Sequence, residues 1–252
     1  MPNVYDQSFY KKQLGGSHIA AEQVAPHIFK IFNPKSVIDI GCGVGPWLKA
    51  FNEKCGVTDI LGVDGDYVDK SMLQINEDQF ISFDLKKVFT PNRKYELATC
   101  FEVGEHLPDE TSDNLVQSLV NCSDCIAFSA ALPGQTGTYH INEQYPEYWA
   151  KKFIAKGYVC IDHIRKEIWD LTNVDFWYRQ NMLLYIKKDV FESRFKEKLG
   201  LSKDRTDPEF ITRIHPEMLH YYIGKFNQTK SIVGFIRYHL YPLKKLVRRN
   251  KK

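Results

Sequence analysis

Apolar residues recur along this chain in two rhythms. From Tyr5 to Phe32, the spacing of Ile19, Val24, Ile28 and Ile31 among polar residues predicts one or two helices that stop at Pro34. Short β-branched runs follow: "SVIDIGC", "DILGVDG", "QFISFDL", "YELATCF" and "CIAFSAAL". Helical stretches separate several of them, among them "PWLKAFNEK" with Pro46 in its first turn. This alternation predicts an α/β fold, a mostly parallel sheet with crossover helices. After "EYWAKKFIAKGY", read as a helix ending at Gly157, the runs "YVCIDHIRKEIW" and "YRQNMLLYIKK" are close enough to pair antiparallel at the sheet edge. Patterning weakens beyond about residue 190: "VFESRFKEKL" reads as helix, "SKDRTDPEF" as loop, and the tail as a separate amphipathic element.

Three segments are expected: a helical cap over 1–33, a core over 34–190, and an extension over 191–252. The chain has 252 residues, 43% hydrophobic and 26% charged, an ordinary globular composition with enough length to bury a substantial core. No signal-like start and no run of roughly 18 to 20 apolar residues is present, so the expected compartment is the cytoplasm. Six cysteines lie mostly in apolar runs and read as buried thiols in a reducing environment. Cys122 and Cys125 have C-x-x-C spacing, yet no second pair completes a zinc site. The net charge of +3 is uneven. From Gly224 to Lys252 there are nine Lys/Arg and no Asp or Glu, which leaves about −6 on the rest.

The first strand runs into "VIDIGCGVG". Gly41, Gly43 and Gly45 sit between a strand and a helix, where missing side chains let the backbone bend sharply and approach a ligand. Asp39 lies inside the strand, an odd place for a charge unless it orients the loop or holds water near a cationic ligand. Asp64 ends the second strand, nineteen residues past Gly45, where a carboxylate can accept both hydroxyls of a ribose. Asp84 and Leu85 close the third run, offering a carboxylate and a backbone N–H to an adenine edge.

The motifs "DIGCGVG", "GVDGD", "FDL" and "CFEVGEHL", over roughly 35–188, resemble the class I S-adenosylmethionine-dependent methyltransferases. That resemblance implies a Rossmann-like sheet of seven strands with an antiparallel final hairpin and helices on both faces. It also implies a pocket for S-adenosylmethionine. Asp39 and the glycines, with Cys42 among them, would flank the methionine moiety, Asp64 beside Gly65 the ribose, Asp84 and Leu85 the adenine, and Phe101 and Glu102 the pocket wall.

"CFEVGEHL" is expected to turn into a helix that places Glu102, Glu105 and His106 at i, i+3 and i+4 on one face. Two carboxylates and an imidazole suit Mg²⁺ or Mn²⁺ better than zinc. The bland alternative is a glutamate lining the cofactor pocket in an acidic first turn. His140 lies in "GQTGTYHINEQYPEYW", a loop after the fifth strand at the sheet's carboxyl edge. Together these resemble the metal-dependent small-RNA 2′-O-methyltransferases, whose E-x-x-E-H run and later histidine imply Glu102, Glu105, His106 and His140 as ligands. The E-x-x-E-H part also resembles quinone-precursor O-methyltransferases. "INEQYPEYW" departs from the RNA enzymes, and no RNA-binding domain is attached, which disfavours nucleic acid. Without a metal, His106 or His140 would be the general base, with Glu102 beside them.

For the acceptor, His18, Tyr148, Arg179 and Asn181 are candidate contacts, within "LGGSHIAAEQ", "YPEYW" and "WYRQN". Trp149 and Trp169 read equally as core residues. The combination of "EVGEHLP", "FSAALPGQTGTYHINEQYPEYW" and "WYRQN" resembles bacterial methyltransferases of surface-polysaccharide and capsule biosynthesis, implying a small-molecule acceptor with a sugar hydroxyl or phosphate ester oxygen. The basic tail suits contact with an anionic membrane surface, or packing on its own domain. The competing functions are an RNA 2′-O-methyltransferase and a non-catalytic partner that retains the cofactor pocket.

Overall fold

In the computed structural model, residues 7–200 and 211–229 are described. The loop at "SKDRTDPEF" and the basic tail from residue 230 onward lie outside the described residues. The chain divides into two compact units, one through Arg213 and one from Ile214. The second contributes the described helix Pro216–Thr229.

The first unit opens on one long helix, α1 (Gln7–Phe32), which continues through Pro26 and ends at Asn33 in a left-handed conformation, φ 47°. Ile19 is 43% exposed, so its place in the apolar row was misread. The buried face is Ala20, Ala21, Val24, Ala25, Ile28 and Ile31, whose three alanines permit close approach to α2 (Pro46–Cys55).

The strands are β1 (Ser36–Ile40), β2 (Asp59–Asp64), β3 (Phe80–Ser82), β4 (Leu97–Phe101), β5 (Cys125–Ser129), β6 (Tyr158–Ile161) and β7 (Leu183–Lys187). They form one sheet in the order β3-β2-β1-β4-β5-β7-β6. All pairings are parallel except those of β7, which runs antiparallel to both β5 and β6. The expected seven-stranded Rossmann-like sheet is therefore present. β1, β4 and β5 are buried at every position, as apolar strands covered on both faces should be. Each of the two late runs is only half strand. The end of the first becomes α5 (Ile164–Ile168), and the start of the second belongs to α6 (Phe176–Asn181). The remaining helices of this unit are α3 (Ser112–Cys122) and α4 (Pro146–Ala155), then a short turn (Lys188–Val190) that passes into π-helical geometry over Phe191–Phe195.

All six cysteines are free, and Cys122 and Cys125 are buried, with burial pushing both thiols up to about 12. Trp149 is 2% exposed and packs on Phe128 and Gly104, which settles it as core. Among the described residues no helix is long and apolar enough to cross a membrane.

Behind the hairpin, Arg165 is 1% exposed and still meets its hydrogen-bonding needs. Its Nε donates to Asp162 at 2.7 Å, and its two terminal nitrogens donate to the carbonyls of Gln180 (3.1 Å) and Ile211 (2.6 Å). Burial works to raise the Asp162 carboxyl, but Arg165 and Arg213 outweigh it and hold it below the usual range. One guanidinium thus ties the β6–α5 turn, α6 and the chain at Ile211 together. Arg165→Met, which keeps the bulk and removes the charge, is expected to cost about 3 kcal/mol in urea unfolding, because two carbonyls and a carboxylate lose their donor. A loss below about 1 kcal/mol would contradict this role.

Candidate functional site

The strand order reverses direction between β1 and β4, and open α/β sheets bind ligands outside the carboxyl ends of strands at such a switch. A cavity of about 250 Å³ lies there. Its walls are the backbone of Gly41–Val44, the carboxylates of Asp64 and Glu102, and apolar surface from Trp47, Leu85, Phe101, Val103, Leu107 and Tyr178. Ser17, Tyr67, Lys86 and His106 complete it.

The loop above the cavity needs its glycines. Gly41, Gly43 and Gly45 all have positive φ (81°, 54° and 87°), and a Cβ on Gly41 would lie 2.3 Å from Val103. Asp64 is 5% exposed and binds the loop: Oδ2 accepts from Gly43 N–H at 2.6 Å, while Oδ1 accepts from Gly65 N–H at 2.7 Å and the Tyr67 hydroxyl at 2.5 Å. Burial nonetheless raises its carboxyl above the usual range, against those three donors. Asp39 sits below the loop at 2% exposure and accepts the Thr99 hydroxyl at 2.7 Å.

Asp84 lies two residues beyond β3, exposed, accepting from Lys86 N–H; it does not line the cavity, whereas its neighbour Leu85 does. Gly45 and Gly65 are likewise absent from the lining.

The Glu/His stretch differs from its expected helix. Glu102 has φ 54°, in the left-handed region, and only a single 3-10 turn, Gly104–His106, follows. The cause is at the end of β4. Glu102 N–H is still held by Ser129 O at 3.0 Å, and its carboxylate is captured by Gln135 Nε2 at 2.8 Å and Asn181 Nδ2 at 3.2 Å. A left-handed residue with its side chain so held does not begin an α-helix.

The ligand atoms of Glu105, His106 and His140 nevertheless lie within 4.8 Å of one another. Glu102 is outside that group of three. Glu105 is fully buried, and neither of its carboxylate oxygens has a hydrogen-bond donor of ordinary geometry among the described residues. Burial first, and then the Glu102 charge, hold its carboxyl well above the usual range. Burial, followed by the nearby His140, lowers His106 to about 4. The two imidazoles meet edge to face, with ring centroids 5.0 Å apart.

The proposed acceptor contacts are dispersed. Asn181 is at the site, bonded to both Glu102 and Gln135. Arg179 is 1% exposed with its guanidinium on the Trp169 carbonyl, and Tyr148 bonds Asp109. His18 is half-buried on α1, 3.8 Å from Glu22. The sequence reading missed Gln135, Glu143 and Tyr67, which carry no motif. Only their position after strand ends could have marked them.

Asp39 offers a test of how deeply the loop is buried. Burial raises its carboxyl to about 7, against an ordinary value near 3.8. The folded form therefore keeps a proton that the unfolded form releases, so stability contributed by this group falls as pH rises from about 4 to about 7. Asp39→Asn removes the titration. The wild-type urea midpoint is expected to decline relative to the variant's across that window, and a pH-independent difference would contradict the burial.

Residues 16–123 match a family model described as a methyltransferase domain. No curated protein matches the chain. Among solved structures, DesVI from Streptomyces venezuelae is 13% identical, with a TM-score of 0.52 over 71% of this chain and 95% of that one. The plantazolicin methyltransferase BpumL, in complex with a monoazolic desmethylPZN analog and SAH, is 17% identical, with a TM-score of 0.52 over 73% and 88%. These likenesses are of fold. The sheet order is that of the class I methyltransferase fold, and the match over residues 16–123 places a region similar to a methyltransferase domain on its glycine loop and Asp64.

Proposed function

We propose that this chain methylates an oxygen of a small polar acceptor, a sugar hydroxyl or a phosphate ester oxygen of a surface-polysaccharide precursor, with a divalent cation beside the acceptor. The observation that carries the metal-assisted part is the donor set of buried Glu105 with half-buried His106 and His140, of which His106 also lines the cavity.

The residues fit a hard cation. Glu105 is a buried carboxyl with no donor of ordinary geometry on its oxygens among the described residues, its raised carboxyl favours the protonated form, and a cation beside it would favour the charged one. His106 is neutral at physiological pH, the form that ligates. Glu105, His106 and His140 would hold Mg²⁺ or Mn²⁺, with Glu102 as a neighbouring carboxylate. When bound, such an ion polarises a coordinated oxygen and lowers its pKa.

The same facts weigh against His106 as the general base. An imidazole whose conjugate acid lies at about 4 is a weak proton acceptor for a hydroxyl. With the cation bound, His140 would be a ligand that orients the oxygen; as a base it could serve only without the cation. Glu102 and Asp64 place negative charge on the cavity wall, suited to a cationic sulfonium ligand. Glycan acceptors are proposed from the sequence resemblance. RNA is the second reading, and its support in sequence is the basic tail.

The test is calorimetric titration of Mn²⁺ into chelator-stripped protein saturated with S-adenosylhomocysteine. One ion per chain is expected, lost in Glu105→Gln and His106→Ala. Labelled methyl transfer to sugar phosphates and nucleotide sugars is expected to fall on chelation. Transfer to RNA alone, or transfer undiminished by chelator, would contradict the proposal.

A further inference from the structure

Glu143 lies in the loop that carries His140, and one carboxylate there serves three groups. Oε2 accepts from Gly134 N–H at 2.7 Å, Oε1 accepts from Thr136 N–H at 2.8 Å, and Oε1 lies 2.8 Å from His140 Nδ1. Both side chains are largely buried, at 12% exposure for His140 and 18% for Glu143. The loop is strained, with positive φ at Gly134 (88°), Thr136 (59°) and Tyr139 (61°). It also leaves room for one ring, since a Cβ on Gly137 would fall 2.1 Å from His140 Nε2.

We infer that Glu143 is the positioning residue of this site, fixing His140 as its Nδ1–H tautomer and leaving the Nε2 lone pair for the acceptor or its cation. The reasoning is one of donors and acceptors. A carboxylate that already accepts two backbone N–H groups has only lone pairs to offer, so the ring nitrogen facing it is the donor. In the neutral ring the other nitrogen then carries the lone pair. The same two backbone bonds hold the left-handed loop on which His140 stands, so orientation and tautomer are set by a single side chain. A carboxylate behind a histidine in this way raises its strength as a ligand or base. The inference rests on the proposed role of His140 in the reaction, but its geometry does not require that any ion be bound.

The test is nitrogen-15 NMR of the imidazoles in the full chain, with His140 assigned by its loss in His140→Gln. In the neutral ring, wild type is expected to show a protonated Nδ1 and a bare Nε2. Glu143→Gln should give a tautomer mixture while backbone amide resonances outside the loop stay in place, and Mn²⁺ affinity should fall about 10- to 100-fold. A wild-type His140 protonated at Nε2 would overturn the inference whatever the variant does, and so would a tautomer unchanged in Glu143→Gln. Wild type that binds no Mn²⁺ yet shows the protonated Nδ1 supports this inference and removes only the metal reading.

Discussion

Asp64 ends β2 with both carboxylate oxygens committed, one to the N–H of Gly43 and the other to the N–H of Gly65 and the Tyr67 hydroxyl. Through the first of these bonds β2 holds the glycine loop that follows β1, and the loop's three left-handed glycines allow the backbone to turn back over the sheet. The cavity exists because this turn stays open. Gly41 leaves space that a side chain would contest with Val103, so the loop, β2 and the end of β4 share one wall. A buried carboxylate is costly without donors, and here three donors offset part of that cost, burial still holding the carboxyl above its usual range.

The second constraint lies across the cavity, where β4 ends. Two amides, from Gln135 and Asn181, hold the carboxylate of Glu102, and its backbone is left-handed. This turns the chain immediately after the strand and sets Glu105 inward, where it is buried beside His106 and His140. Polar groups from three separate segments, 102–106, 134–143 and Asn181, meet there, and three left-handed residues other than glycine, Glu102, Thr136 and Tyr139, stand in or next to it. Backbone strain clustered at one place is a mark of a functional site, where surrounding bonds over-determine the conformation.

Much of the architecture was legible because it depends on local pattern. The five apolar runs, the glycine loop and Asp64 follow from periodicity and from spacing along one βαβ unit, and each is found where it was expected. The helix after "CFEV" was not legible. Local acidic residues and helical spacing favoured it, while the amides that prevent it come from residues 135 and 181, far along the chain. Glu143 was missed for a similar reason: its significance is three bonds to a loop whose conformation no short-range signal encodes. Ile19 was misassigned because three small alanines, weak in any hydrophobicity pattern, carry the buried face of α1. Arg179 attracted attention as a charge near the ligand face, yet burial on a carbonyl gives it a structural place.

The proposed function requires that the cavity beneath the glycine loop hold S-adenosylmethionine with Asp64 as its polar anchor. Calorimetric titration of S-adenosylhomocysteine into wild type and Asp64→Asn tests it most directly, with circular dichroism to confirm that both are folded. One site per chain in wild type is expected, with affinity falling by about tenfold or more in the variant, as loss of a charged hydrogen-bond acceptor requires. No binding in wild type, or equal affinity in the two proteins, would contradict the account.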